Sequence, residues 1–157
     1  MVLTATGFGV SAAQRLCKRT QTLELLSRLA KQLAENVRYT AAPLSALVAK
    51  AAQEQAFAPL RFLTECVGED PRTSICRAAR EEAAVLGLDE EDSRLLAEFF
   101  SGFGQADAIG ESERCRRFAT LFEKCGEEAR AAYKHKSTLY VTLGVCGGSM
   151  AALLLGG

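Results

Sequence analysis

The sequence predicts an all-α protein, and three observations carry that prediction. Alanine, leucine, glutamate and arginine recur along the whole chain, a composition that favours helices. Tryptophan is absent and 157 residues contain three prolines, so little interrupts a helix. Alternating Val, Ile or Thr runs, which would mark strands, are scarce, whereas apolar residues return every third or fourth position. The length suits one domain with room for a core. The expected architecture is a bundle of about six helices, with a long C-terminal helix running into a membrane segment.

Residues 1–13, MVLTATGFGVSAA, read as a short apolar segment with no charge before Arg15. As a helix it would reach only about 20 Å, short of a roughly 30 Å hydrocarbon core, so a truncated or partial anchor is expected. It lacks the Lys or Arg that opens a secretory signal. Residues 14–136 are expected to form the bundle domain. Its first helix covers 14–37, where Leu16, Leu23, Leu26, Ala30, Leu33 and Val37 form an apolar seam that Leu25 and Leu29 widen. Pro43 opens a second helix that ends near Gln53. A third is expected over 57–67, ending at Gly68, and a fourth over 72–85, stopped by Leu86-Gly87.

Asp89 is placed to cap a fifth helix, with Glu90, Glu91 and Asp92 in the first turn, where the helix dipole favours acids. Leu95, Leu96, Phe99, Phe100 and Phe103 form its apolar side. After a break at 101–107, Asp107 caps the last helix, which carries Cys115, Phe118, Phe122, Cys125, Ala129 and Ala132 on one face. This helix and the first are natural antiparallel partners.

Residues 137–157, STLYVTLGVCGGSMAALLLGG, hold no charged side chain and would span about 31 Å as a helix. They are expected to be a C-terminal transmembrane segment. Lys134 and Lys136, with His135 between them, precede it, and Arg15, Lys18 and Arg19 follow the N-terminal segment. These residues form a basic membrane collar, and the positive-inside rule puts the bundle on the cytoplasmic side of the cell membrane. Gly144, Gly148, Ala152 and Gly156 recur every fourth residue, a small-residue face suited to membrane helix packing. Ala5, Gly9 and Ala13 repeat the pattern in shorter form. The alternative is a soluble interaction module that buries its apolar C-terminal helix in its own bundle.

The chemical inventory is thin. Basic and acidic residues balance at 19 each, which argues against a nucleic-acid partner. The single histidine lies in the basic collar, and no two of the six cysteines stand in C-x-x-C spacing, so no metal site or Cys-His pairing is expected. Free thiols in a reducing compartment fit this pattern. Neither phosphate-loop pattern occurs. No catalytic residue, cofactor or small-molecule substrate is expected. A thiol enzyme using Cys66 or Cys115 is the remaining catalytic reading, Cys115 because Arg114 and Arg116 flank it.

Three stretches in order carry a resemblance. QLAENVRYTAAPLSAL ends one helix and turns through small residues into Pro-Leu. LLAEFFSGFGQADAIGESE leads apolar turns into a Gly-Gln-x-Asp break before a long helix. YVTLGVCGGSMAALLL joins Leu-Gly-Val to a glycine pair and an apolar tail. Together they resemble the stage III sporulation protein AB family over nearly the whole chain. The resemblance implies a helical membrane protein of endospore-forming bacteria, without activity of its own, in the channel complex that links mother cell and forespore. It also implies a fold similar to the cytosolic helical domains of the type II secretion and type IV pilus inner-membrane platform protein. Other membrane proteins of the complex, its secretion-type ATPase and membrane lipid are the implied partners. Gly104, Gln105 and Asp107, at the Gly-Gln-x-Asp break, are candidates for partner contact or for capping the helix that follows.

Overall fold

The computed structural model describes residues 3–40, 42–65 and 70–155, with side chains described for residue 12 and within 14–135. Five α helices and two short 3-10 turns make up the fold, with no strand among the described residues. They are α1 Leu3–Thr40, α2 Leu44–Gln53, α3 Pro71–Glu82, α4 Glu90–Ser101 and α5 Ala108–Leu155. The fold is therefore all-α as expected, with one correction: five helices rather than about six. No described helix is long and apolar enough to cross a membrane. The side chains of 137–157, to which the sequence assigns the span, lie outside the described residues.

The missing helix is the one expected over 57–67. Gln55–Phe57 and Arg61–Glu65 are 3-10 turns instead. Pro59 separates them and has no amide hydrogen to carry an α-helical ladder through the segment. Three-residue hydrogen bonds take over, from Leu60 N to the Phe57 carbonyl at 2.9 Å and from Leu63 N to the Leu60 carbonyl at 3.2 Å. This corner brings Phe57, Leu60, Phe62 and Leu63 all into the core, which one straight helix face would not allow.

α1 and α5 form the antiparallel pair that the apolar seams predict. Leu23, Leu26, Leu29, Ala30, Leu33 and Val37 of α1 are buried, as are Cys115, Phe118, Phe122 and Ala129 of α5. Glu35 pairs with Arg116 and Lys31 with Glu123, and Glu24 pairs with Arg130, which fixes the register. α1 also starts earlier than the seam suggests, because residues 3–13 continue the same helix.

α3 and α4 pack antiparallel across one side of this pair. α3 starts on Asp70, whose carboxylate accepts the Thr73 amide hydrogen at 3.4 Å. It ends in a Schellman closure, with Leu88 N donating to the Ala83 carbonyl at 2.9 Å and Gly87 N to Ala84 at 3.2 Å. Gly87 has φ +77°, and a Cβ there would lie 3.1 Å from both the Arg15 carbonyl and the Arg19 amide nitrogen. The glycine thus supplies the left-handed turn and also lets the loop lie directly on α1. Thr22 Oγ1 secures the same contact by donating to the Leu86 carbonyl at 2.8 Å.

Candidate functional site

Two ends of the bundle carry the residues singled out from the sequence. At the end where α4 begins, Asp89 and Asp92 form a capping box. The Asp92 amide donates to Asp89 Oδ1 at 2.9 Å, and the Asp89 amide donates to Asp92 Oδ2 at 3.2 Å. Arg19 reaches this box from α1. Its Nε and Nη2 bind the two oxygens of Asp92 at 2.6 and 3.0 Å, and Nη2 also meets Asp89 at 2.8 Å. The Asp92 side chain is fully buried and that of Arg19 is 20% exposed. The hydrogen bond that Arg19 donates to Asp92 is the largest cause holding its guanidinium above the ordinary pKa, outweighing desolvation.

Arg19 therefore faces the bundle and differs from the rest of the proposed collar. Arg15, Lys18 and Lys134 are exposed at this end. Lys136, Gly144, Gly148, Ala152 and Gly156 have side chains outside the described residues, as does Cys66.

The opposite end is built around the Gly-Gln-x-Asp break. Asp107 is the cap that the sequence predicts: its Oδ1 accepts from Gly110 N at 3.0 Å and its carbonyl from Glu111 N at 2.8 Å. Gly104 has φ +79°, and its amide donates to the Glu111 carboxylate at 3.0 Å. Gln105 is fully outside the core and exposed. Glu111, buried to 2% exposure, also binds Arg114 at 3.1 Å. Arg114 in turn donates to the Glu98 and Phe99 carbonyls at 2.9 and 2.6 Å, which satisfies the end of α4. Its guanidinium stacks over the Phe118 ring at 4.9 Å from the centroid.

The break is thus held by hydrogen bonds through Glu111 and Arg114, neither of which the motif reading named. A substitution at Gly104 tests how far the backbone alone matters. The nearest side-chain atom to an added Cβ is Arg72 Nη2, at 4.0 Å, so space is not limiting. Gly104→Ala is expected to lose about 1–2 kcal/mol from the left-handed conformation. Gly104→Asn should lose less, since asparagine tolerates that region. Urea denaturation of the two variants checks the order.

The thiol reading of Cys115 fails on its surroundings. The residue is fully buried, and burial, with Glu111 adding to it, pushes its thiol up to about 12. A reactive thiol needs the opposite shift. Arg114, bonded to α4, lowers the value but is outweighed, and Arg116 pairs with Glu35. Cys17 is exposed. Iodoacetamide is expected to label Cys17 in the folded chain and Cys115 only on unfolding. The raised value also predicts a sign: stability is complete below the ordinary thiol pKa and falls as pH climbs toward about 12. Cys115→Ala should flatten that alkaline loss in denaturation measured across pH.

Among the described residues the geometry shows caps, ion pairs and packed rings. Among the described residues no group of His, Cys, Asp and Glu is placed to hold a metal ion. The family model for stage III sporulation protein AB matches residues 1–156. The chain belongs to the stage III sporulation protein AB family. No curated protein matches it, and no solved structure does. Membership in this family gives the chain a sporulation-related role.

A further group of side chains escaped the motif reading. Arg72, Arg77 and Arg80 of α3 and Arg94 of α4 line a groove of about 900 Å³ between the two helices. Their spacing along 72–80 is a visible signal, since helical steps bring 72, 76 and 80 to one face. Only the packing of α4 beside them turns that face into a groove.

Proposed function

We propose that the chain is a non-catalytic, membrane-anchored scaffold subunit of the secretion-like sporulation channel complex between mother cell and forespore. In this reading 137–157 is the membrane span, the bundle faces the cytoplasm, and other membrane proteins of the complex, including its secretion-type ATPase, assemble on it. The fold that the family resemblance implies, similar to the platform proteins of type II secretion and type IV pili, fits the same reading.

One observation carries it furthest. α5 is unbroken from Ala108 to Leu155, and among its described side chains, which end at residue 135, the last one in the core is Ala129. From there the helix rises about 39 Å, more than a hydrocarbon core of roughly 30 Å. Without a turn, the uncharged stretch cannot fold back into its own bundle, which weighs against the soluble alternative. The exposed Arg15, Lys18 and Lys134 stand at the bundle end from which this helix departs, where they suit anionic headgroups.

Carbonate extraction tests the reading. The full chain is expected to stay in the membrane fraction, and a version stopped after Lys136 to become extractable. Release of the full chain by carbonate alone would overturn the anchor. If Gly144 and Gly148 form a packing face, leucine at both positions should weaken membrane helix association; unchanged association removes that role.

A further inference from the structure

The turn between α3 and α4 lies at the bundle end that α5 leaves, at a level that two ion pairs fix. The Glu24–Arg130 and Lys31–Glu123 pairs stand seven residues apart on both helices. One further step of seven sets Cys17 of α1 level with Ser137 of α5, the first residue of the uncharged stretch. Both helices run unbroken through these positions. The α3–α4 turn is held at that same level. A Cβ on Gly87 would lie 3.1 Å from the Arg15 carbonyl and the Arg19 amide nitrogen, and 3.4 Å from Lys18 Cβ. Those contacts straddle Cys17. Val85, just before the glycine on this turn, is 66% exposed.

Beside the turn is a cleft of about 500 Å³ whose lining includes Lys18, Leu25, Pro59, Arg61, Glu82 and Val85. Lys18, Pro59, Arg61 and Val85 are exposed. Lys18 and Arg61 have no carboxylate within ion-pair distance among the described residues. Glu82, the one acid among the described lining residues, accepts the Phe62 amide hydrogen at 3.0 Å. Other acids near this end are engaged elsewhere: Asp89 and Asp92 by Arg19, Glu90 by Arg94 and Glu24 by Arg130. Glu91 and Glu128 stand near Cys125 and do not line the cleft. The cleft therefore presents two cations beside exposed apolar carbon.

We propose that the α3–α4 turn is a second contact with the bilayer: Val85 enters the headgroup layer while Lys18 and Arg61 bind lipid phosphates. The inference rests on the anchor reading, which puts the hydrocarbon boundary at Ser137, and adds the face of the bundle that meets lipid. A headgroup layer is roughly 5–7 Å deep on each side of the hydrocarbon, so a turn level with Ser137 reaches it without rearrangement. Exposed apolar carbon flanked by cations suits this layer. The carbon leaves water while long basic side chains reach anionic phosphates. Position selects the bilayer over a protein partner, because the chain's own departing helix brings lipid to this level. A single departing helix leaves the bundle free to lean to any side, and a contact at Val85 selects the α3–α4 side.

The chain contains no tryptophan, so Val85→Trp in the full chain places a single fluorophore on the turn. Ile109→Trp does so at the opposite end, where Ile109 is 67% exposed. Each variant is reconstituted in nanodiscs of equal phosphatidylglycerol and phosphatidylcholine, the latter brominated at the headgroup end of its acyl chains. Bromine is expected to quench the emission of Val85→Trp and to leave that of Ile109→Trp unchanged. Adding K18Q/R61Q to Val85→Trp should weaken the contact equilibrium about tenfold or more. R28Q/R117Q removes the same charge from other exposed positions and should leave the quenching as it was. Circular dichroism of every variant should match the parent, because all the replaced side chains are exposed. Quenching of Val85→Trp no greater than that of Ile109→Trp, or indifferent to K18Q/R61Q, overturns the proposal. A blue shift without bromine quenching, as when protein covers the turn, overturns it too. Carbonate retention with an unquenched turn rejects the contact and leaves the anchor standing. Carbonate release of the full chain instead removes the boundary on which the contact depends.

Discussion

Phe99→Ala is expected to destabilise the protein by about 3–5 kcal/mol, the cost of removing a large aromatic from a packed core. Phe99 is the junction of the aromatic core. Its ring lies 4.9 Å from Phe100, 5.3 Å from Phe118 and 5.9 Å from Phe122, centroid to centroid. Phe103 adds an edge contact at 6.3 Å. Phe100 is on α4, Phe103 lies in the turn just after it, and two partners are on α5, so the ring ties α4 to the long helix. The backbone carbonyl of the same residue receives Arg114 at 2.6 Å, which limits how far α4 can move to refill the space. Phe99→Leu should lose less, because it retains part of the volume. Urea denaturation followed by far-ultraviolet circular dichroism provides the comparison. A loss below about 1 kcal/mol for the alanine variant would mean that the neighbouring rings collapse into the cavity.

Asp92→Ala is expected to destabilise by about 3–5 kcal/mol, for an electrostatic reason. The carboxylate is fully buried and satisfies both Arg19 and the Asp89 amide. Removing it leaves a partly buried guanidinium with only Asp89, and an orphaned amide at the start of α4. Asp92→Asn keeps the shape and one acceptor and should fall between the two. Replacing both partners, as in R19M/D92L, should recover much of the loss, because the cost comes from the unpaired charge rather than from absence of a strong bond. The raised pKa of Arg19 gives stability that is complete below the ordinary guanidinium range and is lost only as pH rises through the folded value. Its protonation therefore adds no pH dependence near neutrality. A double-mutant cycle on Arg19 and Asp92 measures the coupling.

Much of the fold was legible because helical periodicity is local. The α1 and α5 seams, the capping residues Asp89 and Asp107, and the stop at Gly87 each depend on residues within one or two turns. The failure over 57–67 was also local in origin: the apolar count masked the effect of Pro59 on the helical ladder. The Gly-Gln-x-Asp break was readable as a turn and cap, but Glu111 and Arg114, which hold it, act through Phe99 and the Glu98 carbonyl on another helix. Arg19 was read with its basic neighbours because nothing in sequence links it to Asp92, 73 positions away.

What the sequence determined by itself is therefore the helical class, the antiparallel outer pair, most helix ends and membership in a sporulation protein family. These rest on period, capping and the order of short motifs, all of which are written along the chain. The tertiary structure alone decided that Arg19 turns inward while Arg15 and Lys18 stay exposed, and that Cys115 is sealed rather than activated. It also decided that the arginines of α3 face a groove. Those outcomes depend on which helix packs beside each residue, and partners so distant in sequence leave no periodic trace.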